Sequence, residues 1–352
     1  MIRLGIVGLG YMGLAYSRLA RQDDRVSLIA ACDADESRLN SFGGANLEGS
    51  RGSGNGGVTR YFDYREMIDR EALDAVYIAL PDDLHRDPVV CAAGRGLHIL
   101  VEKPLAMSVA DAELMVEAIS RAGVVCQVNH VLRWFPPLHA AKQRLASGGM
   151  GRVLGVTAWA HDRLVAPTRR LTWASRTSPI WFQMTHLLDA VRWLLGSEVS
   201  EVYAVEGSGF LRSQGIDTPD FVRAMIRYSG GESAYFDASW VYPEKAPSVA
   251  ARLFEVVCAG GVIRVDTERQ MLDVTTDRYE CPTFFGADMY GRVTGLFADA
   301  FTGFIDAVAG GTAPVVSAMD GLAVVAAAAA VEKSIRERRP VCPGVSVGVS
   351  GG

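Results

Sequence analysis

An apolar run too short for a helix, Leu4 to Val7, is followed at once by Gly8-x-Gly10-x-x-Gly13, and a helical pattern opens at Leu14. That order predicts a buried strand, a tight turn and a helix start. Each glycine has a mechanical task in such a turn. Gly8 permits the bend, Gly10 lets the backbone approach a pyrophosphate, and Gly13 allows helix to pack closely on strand. N–H groups at the helix start then face phosphate oxygens, and the helix dipole favours their charge. A glycine pattern alone is weak evidence, because ordinary turns contain it. Here a second signal follows. Val26 to Cys32 reads as the next strand and ends in Asp33, twenty residues after Gly13. A carboxylate at that place accepts hydrogen bonds from an adenosine ribose. Together these features point to a dinucleotide site. Asp33 would repel a 2′-phosphate, so NAD is expected over NADP. Arg38 is the one nearby residue that would counter this, and it reads more simply as a surface helix residue.

A chain of 352 residues is long for one domain, and two are expected. A net charge of -5 argues against a general nucleic-acid binder, whose footprint is basic. Six cysteines are scattered without a C-x-x-C, and Cys32 and Cys126 sit in apolar runs. They read as free buried thiols of a reducing compartment. No secretory signal fits ahead of the first strand. The longest apolar run, Leu322 to Val331, is too short to span a bilayer and is closed by Glu332-Lys333. A soluble, cytoplasmic protein with no membrane partner is expected.

Strand-like and helical runs alternate through the first third. After Asp33 come a helical piece (Glu36 to Phe42), a glycine-rich loop (Gly43 to Gly57) and a short strand (Val58 to Phe62). A helical turn (Tyr64 to Asp69) and a strand (Asp74 to Leu80) stopped by Pro81 follow. A helix from His85 to Arg95, a strand from Leu97 to Val101, a helix from Val109 to Ala122 and a strand from Val124 to Val128 complete the series. This is the pattern of a doubly wound parallel sheet, a Rossmann domain over residues 1–128. From Asn129 the pattern changes. A helix opens at Pro136-Pro137, Val153 to His161 alternates as a strand, and Trp181 to Leu195 has helical spacing. Strand-like runs then follow without helices between them: Glu201 to Glu206, Phe221 to Tyr228, Ser233 to Val241, Phe254 to Cys258 and Val262 to Val265. Consecutive strands indicate a largely antiparallel sheet and an α+β second domain over 129–345, closed by helices near Phe297 to Val308 and Met319 to Arg336.

Glu102-Lys103-Pro104 stands at the carboxyl end of a predicted parallel strand, where ligands of open α/β sheets bind. Alone it is an ordinary turn. In combination with the glycine motif, Asp33, Asp74 to Pro81 with Leu84-His85, His98 to Pro104, Asn129 to Pro136, His186-Leu-Leu-Asp189, Arg192 to Gly196 and Pro340-Val341, the chain resembles the Gfo/Idh/MocA family of nicotinamide-dependent oxidoreductases. The resemblance covers nearly the whole chain. It implies a Rossmann domain, a second domain with an open-faced sheet often used for homo-oligomers (dimers or tetramers), and hydride transfer between NAD or NADP and a sugar, cyclitol or related carbinol. It also implies a cis Lys103-Pro104 bond.

Carried over residue by residue, Lys103 matches the family's catalytic lysine and His186 its catalytic histidine. The motifs and the resemblance together nominate Gly8, Gly10, Tyr11, Met12, Gly13, Asp33, Pro81, His85, Glu102 and Lys103 for the cofactor. For substrate they nominate Lys103, His130, Arg133, Arg163, Trp173, Phe182 and His186. The family usually has an aspartate four residues before the histidine, and here that position is Phe182. The substrate pocket is therefore expected to differ from the usual one. Asp189, three residues after His186, lies on the same helix face and is a candidate to hold the imidazole. The stretch 161–176 carries Arg163, Arg169, Arg170 and Arg176 between Trp159 and Trp173, which suits an acidic or nucleotide-linked sugar or else a salt-bridged surface loop. His130 and His139 match no metal-ligand spacing, and no metal is expected. The leading function is an NAD-dependent dehydrogenase or reductase. The alternatives are a lyase or glycosidase that oxidises its substrate transiently, and a non-catalytic NAD-binding regulatory subunit.

Overall fold

The structure is a computed structural model, and it describes residues 1–44, 57–269, 274–275, 279–280 and 287–344. The glycine-rich loop and the C-terminal tail beyond Gly344 lie almost wholly outside the described residues. The chain divides into two compact units.

In the first unit β1 (Ile2–Val7), β2 (Val26–Cys32), β3 (Thr59–Tyr61), β4 (Ala75–Ile78), β5 (His98–Val101) and β6 (Cys126–Val128) form one parallel sheet in the order β3-β2-β1-β4-β5-β6. Strand order reverses between β1 and β4. Ligands of such sheets bind at the carboxyl ends of that strand pair. The expected Rossmann architecture is therefore present, and its crevice lies over Gly8 and Leu80. The inner strands β1, β4 and β5 are short and largely apolar on both faces, as burial under helices on two sides demands, while the edge strand β3 (Thr-Arg-Tyr) is mostly exposed. Burial also pushes the Cys32 and Cys126 thiols up to about 12.

Helix α1 (Tyr11–Gln22) follows β1, α2 (Glu36–Gly44) follows β2, and α3 (Tyr64–Arg70) follows β3, with Asp63 capping α3. Then α4 (Arg86–Gly94) leads to β5 and α5 (Val109–Ala122) to β6. The helix read from His85 to Arg95 is α4, with His85 as its N-cap and a 3-10 turn, Asp82–Leu84, ahead of it. Pro88 falls in its first turn. It lacks an N–H, which costs nothing only in a helix's first turn. One element comes from far along the chain: α9 (Leu296–Gly310) belongs to this unit. Its Phe301, Phe304 and Ile305 share a buried cluster with Leu4, Ile6, Tyr16, Ala31 and Leu100. Residues 287–321, which a single cut after residue 128 assigns to the second domain, thus complete the first.

The second unit is built on β7 (Val153–Arg163), β8 (Val199–Gly207), β9 (Phe221–Tyr228), β10 (Ser233–Tyr242), β11 (Ala250–Cys258) and β12 (Gly261–Asp266), ordered β12-β11-β7-β10-β9-β8. All neighbours are antiparallel except the central pair β7–β10, which is parallel. Residues alternate strictly along β9, with Val222, Ala224, Ile226 and Tyr228 buried and Arg223, Met225 and Arg227 exposed. The inner face packs on a helical segment that the hydrophobic spacing reads as one helix. It is a π turn, Ile180–Met184, running into α7 (Thr185–Leu195), which Gly196 ends in the left-handed conformation. On the outer face Tyr203, Val205, Met225, Val257 and Val262 stand exposed.

Among the described residues no helix is long and apolar enough to cross a membrane, and no group of three or more His, Cys, Asp or Glu is placed to hold a metal ion.

Phe304 is fully buried in the first unit's core. Phe304→Ala is expected to destabilise that unit by about 3–5 kcal/mol, read as a lower denaturant midpoint for the transition that also loses NAD binding.

Candidate cofactor-binding and active site

The turn after β1 is shaped by close approach. Gly8 has φ +95°, and a Cβ there would meet Ala79 O at 2.4 Å. A Cβ on Gly13 would meet Gly8 O at 1.9 Å. No side chain fits at either place. At Gly10 the reason differs, because an added Cβ would meet nothing nearer than Arg38 Nη1 at 4.0 Å. The backbone of Gly10 therefore faces open space, and as the N-cap of α1 it supplies no side-chain cap. The first N–H groups of α1 need acceptors. An uncapped helix start beside an open glycine fits a phosphate.

Asp33, nominated from sequence for the adenosine ribose, is held by the same turn. Its Oδ2 accepts from Leu9 N–H at 2.7 Å, its Oδ1 accepts from Asp35 N–H at 2.9 Å, and Arg38 Nη1 lies 3.6 Å from Oδ2. Two backbone donors hold the carboxylate still, while its remaining lone pairs are available to a ribose diol. Tyr11, the first residue of α1, is largely exposed beside this turn.

Glu102, Lys103 and Pro104 follow β5, and the Lys103-Pro104 bond is cis. Glu102 is buried, and its Oε1 accepts from Tyr77 Oη and from Asn129 Nδ2, both at 2.6 Å. Asn129 Nδ2 also reaches Tyr16 Oη at 2.7 Å, and Tyr16 and Tyr77 stack at 4.3 Å between centroids. Burial first, and then the charge of Glu102, holds both phenols well above the usual tyrosine range. They stay neutral donors. This ring of contacts ties α1, β4, β5 and β6 together directly behind Lys103, itself mostly buried. Tyr16, Tyr77 and Asn129 were not anticipated. The available signal was a polar-tipped tyrosine inside the otherwise apolar strand Ala75–Ile78, since a buried hydroxyl needs a partner.

His85 is fully buried, with both ring nitrogens against backbone carbonyls (Pro104 O at 2.8 Å and Leu80 O at 2.9 Å). Its ring is thus packed beneath the turn rather than presented to a ligand. His130 is also buried in this unit.

His186 lies in the first turn of α7, in the second unit. Along 181–190 only Phe182 and His186 are partly exposed, so the two share the open side of this segment. Phe182 meets Trp173 and Trp240 edge-on, at 5.9 and 5.6 Å. An aromatic ledge thus stands beside the imidazole where an aspartate was the family expectation. Asp189 gives both carboxylate oxygens to Arg133, at 3.0 and 2.6 Å, in a buried bidentate pair. Arg133 is therefore a structural cation here, and Asp189 is held by it rather than by the histidine. In the arginine-rich stretch, Arg163 Nη2 donates to Pro247 O at 2.9 Å and Arg169 pairs with Glu244 at 3.2 Å. Both serve to anchor that stretch on the turn after β10.

Residues 2–130 match the model of an oxidoreductase family with an NAD-binding Rossmann fold, and residues 138–264 match the GFO/IDH/MocA C-terminal domain. The 1,5-anhydro-D-fructose reductase of Ensifer adhaerens is 30% identical over 274 residues, covering 75% of this chain and 80% of the relative. The chain belongs to the Gfo/Idh/MocA oxidoreductase family. The myo-inositol 2-dehydrogenase of Thermotoga maritima is 27% identical over 350 residues, covering 97% of this chain and 98% of the relative. The fold agrees with that of scyllo-inositol dehydrogenase from Lactobacillus casei, solved with NAD(H) and scyllo-inositol, at a TM-score of 0.82 and 18% identity over 98% of this chain and 100% of that one. The first unit is accordingly an NAD-binding Rossmann domain in an oxidoreductase.

Asp33→Ala removes the carboxylate offered to the ribose. NAD affinity is expected to fall about tenfold or more, as for a charged hydrogen bond worth about 1.5–3 kcal/mol. The preference for NAD over NADP should narrow with it. Calorimetric titration of both nucleotides into both proteins reads this directly, and an unchanged ratio would remove Asp33 from the cofactor site.

Proposed function

We propose that this chain oxidises a hydroxyl-bearing carbon of a cyclitol or sugar-derived substrate, or reduces the corresponding carbonyl, with Lys103 and His186 handling the oxygen and its proton. The observation that carries the reading is the support built under Lys103: Glu102 fixed by Tyr77 and Asn129 on one side, and Pro104 O held by His85 on the other. Bound NAD supplies the hydride acceptor. As the hydride leaves the carbinol carbon, the hydroxyl proton passes to the neutral imidazole of His186, a group suited to that exchange near neutral pH. The Lys103 ammonium donates to the same oxygen and stabilises the negative charge growing on it.

The relatives' names support the substrate class, a cyclitol in one and an anhydro-sugar in another. Trp173 and Phe182, both partly exposed and backed by the buried Trp240, support a ligand with an apolar C–H face to lay on aromatic rings. With Arg163 and Arg169 engaged by the turn after β10, a neutral polyol fits better than the acidic sugar also considered from sequence. The same reading takes the chain as a cytoplasmic homo-oligomer, dimer or tetramer, assembled through the exposed outer face of the second sheet.

The test is NADH formation with a panel of inositols and anhydro-sugars. Net accumulation of NADH is expected; turnover without it would favour transient oxidation. With a substrate in hand, Lys103→Met and His186→Ala should each lower kcat by about 10² or more while NAD affinity holds. Phe182→Ala should chiefly raise KM. Normal turnover by Lys103→Met would refute the proposed chemistry.

A further inference from the structure

The two contacts of His85 are chemically asymmetric to a neutral ring. Nδ1 is 2.8 Å from Pro104 O and Nε2 is 2.9 Å from Leu80 O, and the residue is fully buried. A backbone carbonyl oxygen only accepts. A neutral imidazole has one N–H and one lone pair, so it satisfies one carbonyl and sets lone pair against lone pair at the other. Only the imidazolium, with two N–H groups, satisfies both.

We infer that His85 is held as the imidazolium, and that in this state it is a positioning residue for Lys103. Leu80 lies just beyond β4, and Pro104 beyond β5 is bonded directly to Lys103. The charged ring joins the exits of these two neighbouring strands like a strut. Loss of one proton sets a lone pair against one of the two carbonyls, and the strut between the two strand exits is then held at one end only.

The ionisable groups on the elements around the ring are Asp82 and Asp83 on the preceding turn, Arg86 and Asp87 at the start of α4, and Glu102 and Lys103 on the turn after β5. Arg86 pairs outward with Asp87 and Asp111, and Glu102 is engaged by Tyr77 and Asn129. Asp82 is buried and three residues before His85.

The decisive measurement needs no substrate. Full-length protein labelled with ¹⁵N-histidine is recorded by long-range ¹H–¹⁵N correlation at pH 7.5, where a free histidine of pKa about 6.5 is roughly nine-tenths neutral. His85 is expected to show both ring nitrogens protonated, and a single neutral tautomer would overturn the inference. The His85 signals are assigned by their loss in His85→Gln, or through its own backbone amide if that variant does not fold. A second measurement rests on the function proposed above. His85→Gln should lower kcat by about 10² through misplacement of Lys103, with NADH affinity held within about threefold. Arg86→Ala, next in the chain and exposed, should leave both unchanged. An equal loss of kcat and NADH affinity in His85→Gln would mean that the ring merely supports the cofactor site. If no panel substrate is oxidised, the proposed reaction fails while the nitrogen spectrum still decides the state of His85.

Discussion

The first unit depends on one steric fact: the helix after β1 starts closer to the strand than any side chain permits. With 1.9 Å between Gly8 O and the place a Cβ would take on Gly13, helix and strand are in backbone contact. That contact aims the open N-terminus of α1 across the crevice at the ends of β1 and β4. Asp33 then bonds the Leu9 N–H in the same turn, so the adenosine-end carboxylate and the phosphate-end amides are held by one loop. The shape of this turn is a property of backbone packing, with a few side chains added to it.

Behind the lysine the logic changes from sterics to hydrogen bonding. Glu102 is a buried carboxylate, which is costly unless its oxygens are satisfied. Two neutral donors from neighbouring strands satisfy one of them, and the tyrosine stack over α1 keeps water away. Such a network holds geometry only while every member is present. The second unit uses the same device in ionic form, where Arg133 and Asp189 pair beneath the helix that carries His186.

The sequence made the parallel sheet readable because β1, β2, β4 and β5 are short, largely apolar runs ended by or close to a glycine, proline or charged residue. It nominates Lys103 and His186 through the family's motifs. It was silent where roles depend on partners distant in the chain. Nothing around Arg133 says that Asp189, fifty-six residues on, will take its guanidinium. Nothing local distinguishes His85 as a ligand of carbonyls from His85 as a ligand of cofactor. The π turn at Ile180–Met184 was equally hidden, since the apolar spacing of Trp181 to Leu195 suits a plain α-helix and the extra residue per turn is decided by packing on the sheet. Phe182 is visible as a departure and Trp173 as a candidate for substrate, but nothing local says that the two rings meet or that Trp240 joins them.

The return of α9 to the first unit has a consequence for how the chain is made. The cluster around Leu4, Ile6 and Tyr16 is completed by Phe301, Phe304 and Ile305. As the polypeptide leaves the ribosome, the first strands emerge some three hundred residues before the side chains that finish covering them. The second unit's sheet, by contrast, has all six of its strands by Asp266. Domains generally fold as units in order of synthesis, but here the unit that begins first waits for α9, and residues from Leu322 then return to the second unit. Until then the first unit's glycine turn and strand ends stand over an unfinished floor, so a nascent chain acquires a complete nucleotide-binding half only once α9 has emerged.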